Sequence, residues 1–265
     1  MTHCAHLSDR ALLTVSGSDA ANFLQGLITA DINAVSLDRL IYSLLLTPQG
    51  KLAFEFFVGK QGDGYVIECE AEQRESLLKR LIMFKLRSDV VIASIEDCQV
   101  YASWPEGDLL DPRNASLGGR HYGQGHEANA TLADYHGFLR QNGVPVALND
   151  VEPERSTALE CGFDALGAIA WDKGCFMGQE VTARMRYRGL VKRLMIASKT
   201  ELTVGQSLYA NGKAIARIAS PWFASVKSSH LQQADWACQD ESGQTIALIK
   251  PIWWERSVAV ANWSG

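Results

Sequence analysis

The chain has 265 residues, of which 47% are hydrophobic and 21% charged, and these proportions are typical of a globular protein with a buried core. Its formal net charge of −5 argues against a general nucleic-acid or membrane binder, and no apolar run is long enough to span a bilayer. Six cysteines are scattered without a Cys-x-x-Cys pair, which argues against a metal or cluster cage made by this chain alone. Because the sequence shows no secretion signal, we expect free thiols and a cytoplasmic location.

The first hundred residues alternate between strand and helix patterns. A helix is expected after Ser18, its predicted N-cap, and a second over 72–85, with Ile82 among its inward-facing residues. Short turns between the strands predict antiparallel neighbours, so this part is expected to be an α+β layer. The strand candidates are 11–15, 40–46, 52–58, 65–70 and 90–95.

The composition changes over 104–130, where Gly, Asp, Asn and Pro predict a loop. His121 and His126 lie in this stretch, and a mobile polar loop is favoured over a metal site because no further ligands stand on firm elements. A helix is then expected over 131–142, and a strand over 166–171.

Beyond residue 190 the pattern becomes all-β. Asn211-Gly212 is a strong signal for a two-residue hairpin, and Trp253-Trp254 is expected to be a core or interface anchor. The fold class is therefore α+β, in three modules: 1–100, 101–189 and 190–265, the last a small β-barrel or sandwich. The strand candidates of this last module are 194–198, 207–210, 214–219, 236–238, 245–249 and 257–260.

Reactive side chains are concentrated in one segment of eight residues. Cys175 is expected in a loop just before a helix N-terminus, where the helix dipole and Lys173 favour a thiolate and lower the thiol pKa from about 8.5 toward neutrality. Gly174 and Gly178 remove side-chain bulk and let the backbone approach a partner. The segment reads Lys173-Gly174-Cys175-Phe176-Met177-Gly178-Gln179-Glu180.

The same residues are also compatible with ordinary structural roles. A cysteine between Gly and Phe is often a small buried hydrophobe. Gln179 and Glu180 are common residues for a first helical turn, and Arg184 also suits a solvated helix face. His136 is a candidate base if Cys175 serves a thiol-dependent transferase or hydrolase, but on its predicted helix it also suits a partly buried position.

The segment 173–180 resembles the signature Lys-Gly-Cys-Tyr-x-Gly-Gln-Glu of the YgfZ-type proteins, with Phe176 in place of Tyr. These are folate-binding proteins of iron–sulfur cluster assembly, and they are related in fold to the aminomethyltransferase (T-protein) of the glycine cleavage system. The blocks 15–31, 44–51 and 159–171 also resemble this family, so the resemblance covers most of the chain.

The resemblance implies T-protein-like modules around a central channel that holds tetrahydrofolate or a one-carbon derivative. Glu160 is the best match to the acidic residue that holds the pterin, with a plain surface carboxylate as the alternative. Lys173 and Arg184 are candidates for the glutamate tail of folate. T-proteins carry two adjacent acidic residues where this chain has Phe54-Glu55, and Gly162 stands where the family often has Asn.

The resemblance therefore implies a folate-binding accessory protein in the assembly or repair of iron–sulfur proteins, which would be its partners together with the assembly machinery. Cys175 is the expected thiolate and Lys173 tunes it, while Gln179 and Glu180 fix the loop or contact the partner. Aminomethyl transfer that depends on Glu55 is the second hypothesis, disfavoured by the missing acidic residue. A thiol-dependent transferase or hydrolase is the third.

Overall fold

The computed structural model describes residues 1–233 and 236–261. The chain forms two compact units: unit 1 comprises Met1–Tyr135 and Leu166–Gln179, and unit 2 comprises His136–Ala165 and Glu180–Gly265. The three modules expected from the sequence stay a prediction, and the end of the last one, 262–265, lies outside the described residues. In the described part of the chain, no helix has both the length and the apolar character that a membrane crossing requires.

Unit 1 is built mainly of strands. Its helices are α1 (Ala20–Leu27) and α2 (Arg74–Lys85), and α3 (Leu132–Gln141) begins in it. Its strands are β1 (His3–His6), β2 (Arg10–Ser16), β3 (Ile41–Leu46), β4 (Leu52–Gln61), β5 (Gly64–Glu70), β6 (Val91–Ile95), β7 (Gln99–Trp104), β8 (Leu109–Leu110) and β9 (Gly119–Gly123).

A five-stranded antiparallel sheet with the order β3-β4-β5-β2-β6 forms the centre of unit 1. Because side chains alternate between the faces of a strand, every second residue points to the same layer. On one face Leu13, Phe56 and Ile67 form an apolar core with Leu24 of α1 and Leu77 of α2. The strand-like runs of the sequence predicted these strands correctly, and β3 and most of β4 are buried on both faces.

Two details of these helices differ from the prediction. Asp19 occupies the N-cap of α1, whereas Ser18 donates a hydrogen bond to Asp89 (Oγ–Oδ2, 2.9 Å). Ile82 is 51% exposed, because α2 buries Leu77 and Leu81 and the next residue is rotated by about 100° from that face.

The predicted loop over 104–130 was wrong in part, since it contains β8 and β9 of a second sheet with the order β1-β7-β9-β8. Gly107, Gly118 and Gly119 of this stretch let backbone segments pack closely together. A Cβ on Gly118, whose φ is +83°, would lie 1.8 Å from the carbonyl oxygen of Ser103. His121 lies on β9 and is hydrogen-bonded through Nε2 to the Ser103 hydroxyl, so it belongs to the sheet.

Unit 2 combines short helices with a six-stranded antiparallel sheet of order β10-β13-β12-β11-β14-β15. Its helices are α4 (Ala147–Asp150), α5 (Gln179–Tyr187), which begins at the last residue of unit 1, α6 (Ser228–Leu231) and α7 (Val258–Ala261). Its strands are β10 (Arg193–Ala197), β11 (Ser207–Ala210), β12 (Lys213–Ile218), β13 (Phe223–Lys227), β14 (Cys238–Gln239) and β15 (Thr245–Ile246).

The α+β class is confirmed, and so is the hairpin at Asn211-Gly212, where both residues have positive φ, 50° and 71°, as a type I′ turn needs. Two expected strands were wrong. Residues 257–260 fall mainly in α7, and 166–171 form no strand. In the latter, Ala170 N donates a single backbone hydrogen bond to Thr29 O.

Candidate functional site

The motif loop, residues 172–178, is tied to the body of unit 1 through the side chain of Lys173. Its Nζ donates hydrogen bonds to the carbonyl oxygens of Ile28 (2.7 Å) and Ala30 (2.8 Å). Burial lowers the pKa of Lys173 to about 8, and Asp31 opposes this shift. The ammonium therefore holds the loop against the segment that follows α1.

Phe176 is the buried apolar residue of the motif loop next to Cys175. Its side chain is buried, and the Lys173 ammonium lies 5.6 Å from the ring centroid, within the range of a cation–π interaction. Gln179 N donates to Phe176 O (3.2 Å) at the start of α5. The loop is thus held on both sides of Cys175.

Gly178 lets the motif loop lie directly on the turn between β3 and β4. Its φ is +80°, and a Cβ there would be 2.7 Å from Thr47 O and 2.9 Å from Leu46 Cβ. Two sequence blocks that resemble the family, 44–51 and 173–180, therefore meet here. A Cβ on Gly174 would meet no atom within 4 Å, so the space beside Gly174 is open.

Cys175 is the exposed cysteine of the chain, and all six cysteines are free thiols. In the described part of the chain its sulfur has no hydrogen-bond partner. Burial raises the pKa of Cys69 to about 12 and that of Cys238 to about 11, which makes these thiols unreactive. The alternative that Cys175 is a buried hydrophobe is wrong.

Glu180 and Arg184 lie on the solvent-facing side of α5. Arg184 Nη2 and Glu180 Oε1 are 2.7 Å apart in an i,i+4 ion pair, and the two side chains are 51% and 84% exposed. Such exposed pairs contribute about 0.5 kcal/mol or less, so Arg184 is available to another anion at little cost.

Glu55 belongs to a buried group of charges between the two sheets of unit 1. Arg10 forms ion pairs with Glu55, with Glu68 (Nε–Oε1, 3.0 Å) and with Glu70 (Nη1–Oε1, 3.1 Å). Tyr42 is hydrogen-bonded to Glu55. Glu55 therefore already has a cation and a hydroxyl as partners.

Further charges from the second sheet complete the group. Glu68 accepts hydrogen bonds from Arg120 Nε (3.2 Å) and Tyr122 Oη (2.8 Å). Asp111 pairs with Arg113 (2.8 Å) and with Arg120 (3.4 Å). We call these residues the buried ion cluster: Arg10, Glu55, Glu68, Glu70, Asp111, Arg113 and Arg120.

The charges of the buried ion cluster are not fully balanced. Burial raises the pKa of Glu70 to about 7; Arg10 acts against this shift, and Glu55 and Asp9 add to it. The sequence reasoning missed the cluster. The sequence feature that indicated the cluster is the pair Glu68 and Glu70, which lie two residues apart, and so on one face, in the otherwise apolar strand β5.

Glu160 is half-buried in unit 2. Its Oε2 accepts a hydrogen bond from Thr157 Oγ1 (2.6 Å), and its backbone oxygen accepts one from Met195 N (2.8 Å). It lines a cavity of about 550 Å³ whose wall also includes three arginines. Those arginines are Arg155, Arg193 and Arg217.

Gly162 stands where the resembling family often has Asn, and the structure explains why. A Cβ on Gly162 would lie 2.5 Å from the ring of Trp253, which is fully buried and donates a hydrogen bond from Nε1 to Gly143 O (2.8 Å). This confirms Trp253 as a core anchor. His136, also in unit 2, lies within electrostatic reach of Asp150.

A second cavity, of about 620 Å³, lies in unit 1 between the support of the motif loop and the buried ion cluster. Ala30, whose carbonyl binds Lys173, and Ala170 line one side. Tyr42 and Asp111 line the other. Its volume is within the range of small-molecule sites.

Comparison with known proteins first defines the fold. No protein-family model matches the chain. The structure resembles the glycine cleavage system aminomethyltransferase T of Bartonella henselae with a TM-score of 0.74, over 97% of this chain and 87% of that one, at 14% identity. The T-protein-like fold implied by the motif is thereby confirmed.

Sequence relatives then indicate which class of proteins with this fold the chain resembles. The iron-sulfur cluster assembly factor IBA57 homolog, mitochondrial, of Pyricularia oryzae is 30% identical over 217 residues, 72% of this chain. Human iron-sulfur cluster assembly factor IBA57, mitochondrial, is 24% identical over 309 aligned positions, 95% of this chain and 85% of its own length. The chain spans 55% and 52% of the two fungal relatives from Pyricularia oryzae and Neurospora crassa. These relatives agree with the YgfZ-type class that the motif indicates, and the fold is that of aminomethyltransferase T.

Proposed function

We propose that this protein is a folate-binding accessory factor in the assembly or repair of iron–sulfur proteins, and that Cys175 is the thiolate through which it acts. The observation that carries the proposal is the exposure of Cys175 on a loop that is held on both sides by Lys173, Phe176 and Gly178. Relatives over most of the chain are named iron-sulfur cluster assembly factors, which supports the same role.

A thiolate is the protein ligand that iron–sulfur clusters prefer, and it is also the nucleophilic form of cysteine. Among the residues that the structure describes, no group of three or more His, Cys, Asp or Glu side chains is arranged to hold a metal ion. Cys175 would therefore act together with ligands on a partner, for which the cluster is cargo. Lys173 and Gly178 would keep the loop in the conformation that presents the sulfur.

Tetrahydrofolate, when bound, would supply a carrier for one-carbon groups. Glu160 fits the pterin, because Thr157 occupies only its Oε2 and the second oxygen accepts no hydrogen bond from the described residues. Arg184 fits the glutamate tail better than Lys173, whose ammonium already binds two backbone carbonyls. Glu55 could accept from a folate only by giving up part of its pairing with Arg10.

Calorimetric titration with tetrahydrofolate tests the cofactor part of the proposal. We expect binding by the wild type, at least tenfold weaker binding by Glu160→Ala, and unchanged binding by Glu201→Ala, an exposed carboxylate elsewhere in unit 2. Absence of binding by the wild type would remove folate from the proposal.

Deletion of the gene in its own organism tests the cellular part. We expect iron–sulfur enzyme activities to fall and to return with the wild-type gene, while glycine cleavage activity stays unchanged. If iron–sulfur enzymes keep full activity in the deletion strain, the proposed role is wrong.

The fold favours one second candidate, a folate-dependent aminomethyltransferase that relies on Glu55. The ion pair of Glu55 with Arg10 weakens this candidate, because a paired carboxylate is a poor general base. Turnover of tetrahydrofolate with an aminomethyl donor, lost in Glu55→Gln, would support it.

The cytoplasm remains our proposed compartment. Six free cysteines fit any reducing compartment, and the named relatives are mitochondrial. Cell fractionation of the source organism decides between the two locations.

A further inference from the structure

A third cavity, of about 520 Å³, lies in unit 2 and has no part in the function proposed above. The end of α3 contributes Arg140 and Gln141 to its wall. Ser198 and Lys199, which follow β10, and Trp222, which precedes β13, form the remainder. The wall thus combines two cationic groups with a flat indole ring.

Arg140 lies in this wall with one buried N–H group that has no hydrogen-bond acceptor in the described residues. Its side chain is only 19% exposed, and Nε is buried with no hydrogen-bond partner in the described ranges. The carboxylate paired with it, Asp150, keeps Oδ2 3.8 Å from Nε, which is beyond hydrogen-bonding distance. A buried N–H without an acceptor is costly, so an anion bound to this guanidinium would be stabilised.

The two oxygens of Asp150 accept hydrogen bonds from groups other than Arg140. Oδ1 accepts from Ser220 Oγ (2.8 Å) and Oδ2 accepts from Val146 N (2.9 Å). These bonds orient the carboxylate toward Ser220 and the start of α4. Asp150 therefore balances the charge of Arg140 without giving Nε a hydrogen-bond acceptor.

Trp222 supplies a flat surface beside this charge. The guanidinium carbon of Arg140 lies 5.5 Å from the indole ring centroid, so the two groups form a cation–π pair. Lys199 stands exposed at the rim of the same cavity. Hydrogen-bond donors of Arg140 and Lys199 thus lie beside the planar indole ring of Trp222. The volume of the cavity suits a small ligand.

We propose that this cavity binds a small anion that carries a flat ring, with its carboxylate or phosphate on Arg140 and Lys199 and its ring against Trp222. Carboxylates and phosphates are both matched by the guanidinium fork, so the shared chemistry is a planar ring with an oxyanion. The site needs neither Cys175 nor folate, so its test is independent of the proposed function.

Ligand-observed NMR on the full chain tests the proposal with four probes. Benzoate and phenyl phosphate carry ring and charge, benzamide carries the ring without charge, and cyclohexanecarboxylate carries charge without a flat ring. We expect at least one aromatic anion to bind with a Kd of about 1 mM, and the other two compounds about tenfold more weakly. No binding of either aromatic anion at about 10 mM, or equal binding of benzamide, would overturn the proposal.

Substitutions in the cavity wall test whether the probes bind in this cavity. We expect Arg140→Gln to weaken the anion about tenfold, Trp222→Leu about fivefold and Lys199→Gln about threefold. Lys213→Gln, an exposed lysine at the hairpin of β11 and β12, is the matched control and should bind like the wild type. Should Arg140→Gln fail to fold in a thermal melt, the other two variants decide. Wild-type binding by both Trp222→Leu and Lys199→Gln would place the probe elsewhere and overturn the assignment.

Discussion

The motif loop and the buried ion cluster lie in the same unit, and both contain charged side chains that the T-protein resemblance would make candidates for chemistry. In the cluster, Glu55 is buried and paired with Arg10. In the loop, Lys173 is paired with backbone oxygens, and this leaves Cys175 exposed and without a partner in the described residues.

The difference shows how charge is used in two ways within one fold. A buried carboxylate that is paired with a buried cation has a structural role. If the cation is removed, the carboxylate is left as an uncompensated buried charge, which destabilises the fold. The Cys175 thiol is exposed near a lysine whose hydrogen bonds are already made. It has little effect on the stability of the fold and remains available for reaction. Substitutions in each region separate these two roles.

The largest effect is expected from Arg10→Met in the buried ion cluster. The substitution leaves Glu55, Glu68 and Glu70 without their shared cation, so we expect a loss of about 4 kcal/mol in unfolding free energy, measured by urea denaturation. Arg74→Met is the control. Its partners Glu75 and Glu96 are exposed, so a loss below about 1 kcal/mol is expected there. Equal losses in the two variants would contradict the distinction.

The next effect concerns the two glycines of the motif loop. Gly178→Ala places a Cβ against Thr47 O at a positive φ, so we expect a loss of about 2 kcal/mol or more in stability. Gly174→Ala meets open space and should change stability by less than about 0.5 kcal/mol. Thermal melts of both variants decide the matter, and an equally destabilised Gly174→Ala would mean that the loop packs differently.

A smaller effect depends on pH through Glu70. Its pKa in the folded protein, about 7, lies above its ordinary value, so the folded state binds the proton more tightly and stability falls as pH rises from about 5 to about 8. Glu70→Gln removes this dependence. We expect it to match the wild type near pH 5 and to exceed it by about 2 kcal/mol near pH 8. Parallel stability curves for the two proteins over this range would show that Glu70 does not titrate there.

The smallest structural effect is expected at Arg184, whose ion pair with Glu180 is exposed. Arg184→Ala should cost about 0.5 kcal/mol or less in urea denaturation. Weaker binding of tetrahydrofolate polyglutamate by this variant, with binding by Glu180→Ala unchanged, would support its proposed role at the glutamate tail. Equal affinity of Arg184→Ala and the wild type would remove that role.

Local signals in the sequence predicted much of this structure. Strand-like runs bounded by turn residues predicted the strands of the central sheet, and Asn211-Gly212 predicted the hairpin of β11 and β12 in unit 2. The motif of eight residues predicted the class of protein, which the comparisons confirm. The roles of its individual residues stay predictions.

The buried ion cluster could not be predicted in the same way. Arg10 is 45 residues from Glu55 and 60 from Glu70, and no local pattern shows which distant charges will meet. The strands of 104–130 were missed for a related reason. Gly118 was taken as a loop signal, whereas the neighbouring strand leaves no room for a side chain there.

The measurement that tests the central claim most directly is the rescue of iron–sulfur enzyme activity in the deletion strain by Cys175→Ser. Cys98→Ser is the matched control, because Cys98 is only partly exposed and burial raises its thiol pKa. We predict that Cys175→Ser folds and accumulates like the wild type but fails to restore activity, while Cys98→Ser restores it. Full rescue by Cys175→Ser would contradict the account.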